Sequence, residues 1–150
     1  MSSGPSNPPT FFLNIYTNDL AAATTFYKAL GFSHLTAWSD EKSGSFTLPA
    51  PNDKVALMLH TVPRFKEFIR PGSEVADAKK SAQALLSFSA NSKEEVDEVQ
   101  RKAVEAGGEK DPFVLEGHGE KHGMYSRSWT DLDGHIWEAV TMINNGQGCS

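Results

Sequence analysis

Cysteine is nearly missing from this chain of 150 residues: there is one, Cys149, in the last stretch NNGQGCS. A lone cysteine excludes an intramolecular disulfide and a cysteine-based metal cluster. Long apolar runs are missing as well, and none approaches the ~20 residues that a membrane-spanning helix needs. Positive charge is in deficit: 14 Lys and Arg stand against 19 Asp and Glu, for a net charge of −5. That balance speaks against nucleic acid, whose phosphates call for a basic face, and leaves room for a cationic small molecule. The opening MSSGPSNPPT lacks the apolar core of a secretory signal. Residues 1–9 therefore read as a disordered leader and 144–150 as a tail, and the expectation is a cytoplasmic protein with neither nucleic acid nor membrane as partner.

What is present suits one soluble domain: 39% apolar and 22% charged residues in a chain long enough for a full core. The chain also repeats itself. Leu13-Asn-Ile-Tyr-Thr-Asn-Asp19 and Leu86-Ser-Phe-Ser-Ala-Asn-Ser92 each alternate apolar with polar residues and then reach a helix-capping residue. The first is followed by a helical stripe of Leu20, Ala23, Tyr27 and Leu30 that stops at Gly31; the second by Ser92-x-x-Glu95, a capping box, and a stripe of Val96, Val99, Ala103 and Ala106 that stops at Gly107. FSHLTAWSD, SGSFTL and KVALMLH then correspond to DPFVLEG, GMYSRSW and HIWEAV as three further strands in each half. The reading is α+β: one domain over 10–143, built from βαβββ module one (10–60), a linker or lid (61–83) with a short helix around 64–69, and βαβββ module two (84–143).

Two strings, TNDLAAATTFYKALGF in the first module and DLDGHIWE closing the second, resemble the glyoxalase/bleomycin-resistance/extradiol-dioxygenase family, the vicinal oxygen chelate superfamily. The resemblance covers about residues 10–143 and implies a curled mixed sheet around a cleft between the modules. It also implies a homodimer, and a function among isomerases, lyases, dioxygenases, antibiotic-inactivating transferases and metal-free drug-binding proteins. Metal-using members place a ligand on the first and last strand of each module. Those positions fall here on Phe12, Met58, Leu85 and Glu138. Only Glu138 suits a hard or borderline cation.

The expectation that follows is a small-molecule pocket without the four-ligand metal and with no cofactor. Glu138, set among apolar residues of a strand, is the candidate catalytic group: a general base desolvated by Phe12, Met58 and Leu85, or a carboxylate satisfied by Asn14, Tyr125, Arg127 or backbone donors. Asn14, Tyr16, Met58, His60, Ser87, Tyr125 and Arg127 are the candidate ligand-binding residues, and Ser89 shares the parity of Ser87. Trp38, Phe65 and Phe68 are candidates to line or cover the pocket, Trp129 to pack in the core, and Arg64, Lys66 and Arg70 to draw an anion to the lid. Two rivals remain open: a lyase, isomerase or dioxygenase-type enzyme using a displaced His60/Glu138 metal site or Glu138 as base, and a non-catalytic dimeric interaction domain. His118 and His122 read as solvated residues of a glycine-rich loop, and His135 as a core neighbour of Trp137.

Overall fold

Alternation in FFLNIYT produces β1 (Phe11–Thr17), and the Asp19 carboxylate, which accepts the Ala22 amide at 3.0 Å, starts α1 (Leu20–Ala29). α1 ends against Gly31 at φ 96°, a left-handed conformation natural to glycine. There follow β2 (Ser33–His34), a 3₁₀ turn (Thr36–Trp38), β3 (Ser43–Thr47), β4 (Val55–Thr61) and α2 (Val62–Lys66). The second module contains β5 (Leu85–Ser89), α3 (Lys93–Glu105), α4 (His118–Lys121), β6 (Met124–Thr130) and β7 (Ile136–Met142). The computed structural model describes residues 8–143; most of the leader, the tail and Cys149 lie outside the described residues.

The strands form a sheet of order β1-β4-β3-β2 and a second of order β5-β7-β6, with β1 parallel to β4, β5 parallel to β7, and the other pairs antiparallel. The second module lacks the expected counterpart of β2. DPFVLEG makes only an isolated bridge beside it, Lys110 with Trp129, because Asp111 adopts φ 50° and Pro112 has no N–H to donate to a ladder. The Asp111 carboxylate instead accepts the Gln100 side-chain amide at 2.8 Å. In the first module FSHLTAWSD is strand for only two residues before it winds into the 3₁₀ turn, where the Ser39 hydroxyl donates to Leu35 O. The linker helix starts earlier than expected, since Thr61 caps it and Pro63 sits in its first turn.

Each sheet turns one face to a common core. Phe26 and Tyr27 of α1 and Val96 and Val99 of α3 meet Phe46, Leu57 and Leu59 of the first sheet and Phe88, Trp129 and Trp137 of the second. Tyr27 stands at the centre, fully buried: its hydroxyl donates to Asp131 Oδ2 at 2.5 Å and accepts from Trp137 Nε1 at 2.9 Å. Burial, then the charge of Asp131, pushes the Tyr27 hydroxyl well above the ordinary phenol range, so it stays a donor. The other Asp131 oxygen accepts the amides of Asp133 and His135, and the Asp133 carboxylate accepts the Thr17 hydroxyl at 2.6 Å and the Asn18 amide at 2.9 Å. The DLDG turn of module two is thereby fastened to the end of β1 in module one. Gly134, at φ 98°, completes the turn; a Cβ there would sit 2.9 Å from the Lys79 backbone nitrogen, so the linker closes onto it.

Replacing Tyr27 with Phe leaves the Trp137 N–H and Asp131 buried with a partner lost, which costs about 1–3 kcal/mol. Thermal denaturation followed by circular dichroism is expected to show Tm lowered by about 3–10 °C for a chain of this length, with the folded spectrum kept.

Candidate functional site

The face of the first sheet opposite the core is built from every second residue of its strands. Asn14 pairs with Met58, and Tyr16 and Ser43 flank His60 from either side. Asn14 is exposed, whereas His60 is only 4% exposed. The two ring nitrogens of His60 are both engaged, Nδ1 with Ser43 Oγ at 2.7 Å and Nε2 with Asn14 Oδ1 at 2.8 Å. Asn14 Nδ2 donates to Phe12 O at 3.4 Å, which orients the amide so that its oxygen faces the ring. Nε2 therefore carries the proton and Nδ1 accepts from Ser43. Burial, reinforced by the charge of Arg64, pushes the imidazole below its ordinary value. Phe68 packs edge-on at 5.0 Å and Phe65 at 6.4 Å, while Trp38 covers Phe12.

Tyr16, raised above the ordinary phenol value chiefly by burial, accepts the Ala78 amide of the linker at 2.7 Å, and its ring meets His135 at 4.8 Å. Between β1, the linker and the start of β7 lies a cavity of about 590 Å³, with Asn14, Tyr16, Phe65, Arg70 and His135 on its wall. His135 thus lines this cavity and donates to Tyr16 O at 2.9 Å rather than joining Trp137 in the core.

Glu138 lies on the corresponding open face of the second sheet, half-buried, with Ser87 and Ser128 as its cross-strand neighbours. Ser87 Oγ donates to Oε1 at 2.9 Å. The Ser128 hydroxyl donates instead to Phe113 O at 2.9 Å, and the carboxylate borders a separate cavity of about 420 Å³ under the loop that carries α4. Tyr125 and Arg127 do not reach it with their side chains. They share the parity of buried Trp129, so they turn toward α3, where the Tyr125 hydroxyl donates to Asp97 at 2.7 Å and Arg127 stacks on the Tyr125 ring at 4.2 Å. Asn14 and His60, on the first sheet, are not partners of Glu138 either.

One group of three potential ligand atoms within 4.8 Å occurs among the described residues, formed by Asp131, Asp133 and His135. It is a turn held by hydrogen bonds: the carboxylates accept those described above and His135 Nε2 donates to Tyr16 O. Sequence reasoning missed Ser43, because nothing in SGSFTL marks a hydroxyl that the β3–β4 register sets beside a histidine seventeen residues away.

His60 also gives stability a pH dependence. With its folded-state pKa depressed, the unfolded chain takes a proton near pH ~6.5 that the folded chain refuses. The stabilisation is complete above that pH and is lost as pH falls toward the lower folded-state value. Tm measured across that window is expected to drop more steeply for the wild-type chain than for His60→Gln.

None of the curated proteins matches the sequence. Solved structures do match its fold. A hypothetical protein from S. aureus is 25% identical, with a TM-score of 0.67 over 88% of this chain and 91% of that one. A lactoylglutathione lyase from Agrobacterium tumefaciens is 21% identical, with a TM-score of 0.61 over 91% of this chain and 94% of that one. A fosfomycin resistance protein from Listeria monocytogenes is 21% identical, with a TM-score of 0.56 over 98% of this chain and 97% of that one. The family profile described as Glyoxalase/Bleomycin resistance protein/Dioxygenase superfamily spans residues 11–139, and with its two modules, its mixed sheets and its DLDG turn the chain belongs to that superfamily.

Proposed function

We propose that the chain binds a small molecule on the open faces of its modules and does so without the four-ligand metal centre of metal-using relatives. The observation that carries this is the donor set. Phe12 and Leu85 offer no lone pair, Met58 offers only a thioether, and Glu138 is left as a single carboxylate already accepting from Ser87. A displaced site is disfavoured by the same accounting: His60 accepts on one nitrogen and donates from the other, which leaves no lone pair for an ion. The four family positions and His60 therefore do not fit a divalent cation. Sequestration of a cationic compound suits the net charge of −5.

A lyase or isomerase reading with Glu138 as general base is the alternative, but the Ser87 hydroxyl already occupies one oxygen of that carboxylate. A second copy of the chain is part of the proposed site. The two open faces lie on opposite sides of a shared core and carry exposed apolar residues, Phe12 (47%) on the first and Leu85 (51%) on the second, which a homodimer would cover.

Calorimetric titration of chelator-stripped protein with Ni, Zn, Mn and Fe(II) is expected to give only weak, unsaturated heats. One ion per chain bound at micromolar strength, and lost in both Glu138→Ala and His60→Ala, would overturn the metal-free reading. Light scattering is expected to return twice the chain mass of 16.4 kDa; a monomer at micromolar concentration would remove the second copy from the site.

A further inference from the structure

Ser43, His60 and Asn14 form a hydrogen-bonded chain on the open face of the first sheet. Its polarity is set at one end. Asn14 Nδ2 points to the Phe12 carbonyl, and turning the amide over would bring two oxygens together. Oδ1 therefore accepts from His60 Nε2 at 2.8 Å, so the imidazole is the neutral tautomer whose Nδ1 lone pair faces Ser43 Oγ at 2.7 Å. This is the arrangement of an activated nucleophile: a hydroxyl donating to a base that a third residue orients. Rotation of the ring is opposed by Phe65 and Phe68, which pack against it. Ser43 itself is half-buried at the start of β3, where solvent still reaches it, whereas His60 is 4% exposed. Near the imidazole, Arg64 Nε is buried and ion-paired with Glu67 at 3.7 Å.

We propose that Ser43 is an acyl-accepting nucleophile, with His60 as its general base and Asn14 as the positioning residue, acting on small activated carboxylic esters or thioesters. Ser43 Oγ attacks the carbonyl carbon while its proton passes to His60 Nδ1. The carbon–oxygen or carbon–sulfur bond to the leaving group then breaks, and the imidazolium returns the proton to that group. Water, deprotonated by His60, attacks the acyl-serine, releases the carboxylic acid and restores the Ser43 hydroxyl.

The test uses p-nitrophenyl acetate as probe, with p-nitrophenolate release followed by stopped flow and the acetylated peptide identified by mass spectrometry. A burst equal to the protein concentration is expected, with one acetyl group on the peptide containing Ser43. Ser43→Ala should abolish both. Asn14→Ala, a change at an exposed position, should slow acylation by about tenfold or more, and Asn14→Asp, which keeps an acceptor for Nε2–H, should restore most of the rate. Circular dichroism melts establish that each variant is folded. Absence of acetyl on Ser43 in the wild-type chain, a burst that persists in Ser43→Ala, or equal rates for Asn14→Ala and wild type would each overturn the proposal. None of these outcomes bears on the metal titration, so the two readings fail separately.

Discussion

The buried contact between Tyr27, Asp131 and Trp137 is the constraint around which the two modules are arranged. A carboxylate that deep in a core is tolerated because hydrogen bonds reach it from the Tyr27 hydroxyl and two backbone amides. The same turn offers Asp133 to Thr17 and Asn18. One five-residue turn thus joins α1, the end of β1 and the start of β7, and its aspartates hold that junction together. Burial raises the pKa of Asp131 despite those donors; the cost of desolvation and the gain from hydrogen bonding oppose each other, and removing any donor shifts the balance.

Because the helix-covered faces of both sheets are used up in that core, the faces carrying Asn14, Met58 and His60 on one side and Ser87 and Glu138 on the other are left open. Polar residues there are free to satisfy each other locally. His60 is served by Ser43 and Asn14, and Glu138 by Ser87, each within its own sheet. A strand residue finds its partners first on the adjacent rung, a few ångströms away, before any longer contact forms.

The question raised by a carboxylate among apolar strand residues has a local answer. Ile136, Glu138 and Val140 share one face, so Glu138 alternates away from the buried Trp137 and Ala139. It is half-buried and accepts from the Ser87 hydroxyl. Period-two counting also served for Asn14, Tyr16, Met58 and His60, which do share a face. On β6 the same alternation gives Tyr125 and Arg127 the parity of Trp129, which sends them toward Asp97 and away from the cleft expected for them.

The sequence by itself determined the repeat, the starts and stops of α1 and α3, and the face of most strand residues, because capping, glycine termination and alternation are properties of neighbours along the chain. It also determined which metal ligands are missing, since a phenylalanine lacks a lone pair in any fold. Only the tertiary structure decided that DPFVLEG forms no strand, that the aspartates of DLDG belong to an interlock with Tyr27 and Thr17, and that Ser43 lies against His60. Those outcomes depend on strand register and on the packing of one module against the other. Hydrogen bonds between residues 17 to 116 positions apart are set by where whole elements come to rest, and no local pattern encodes that.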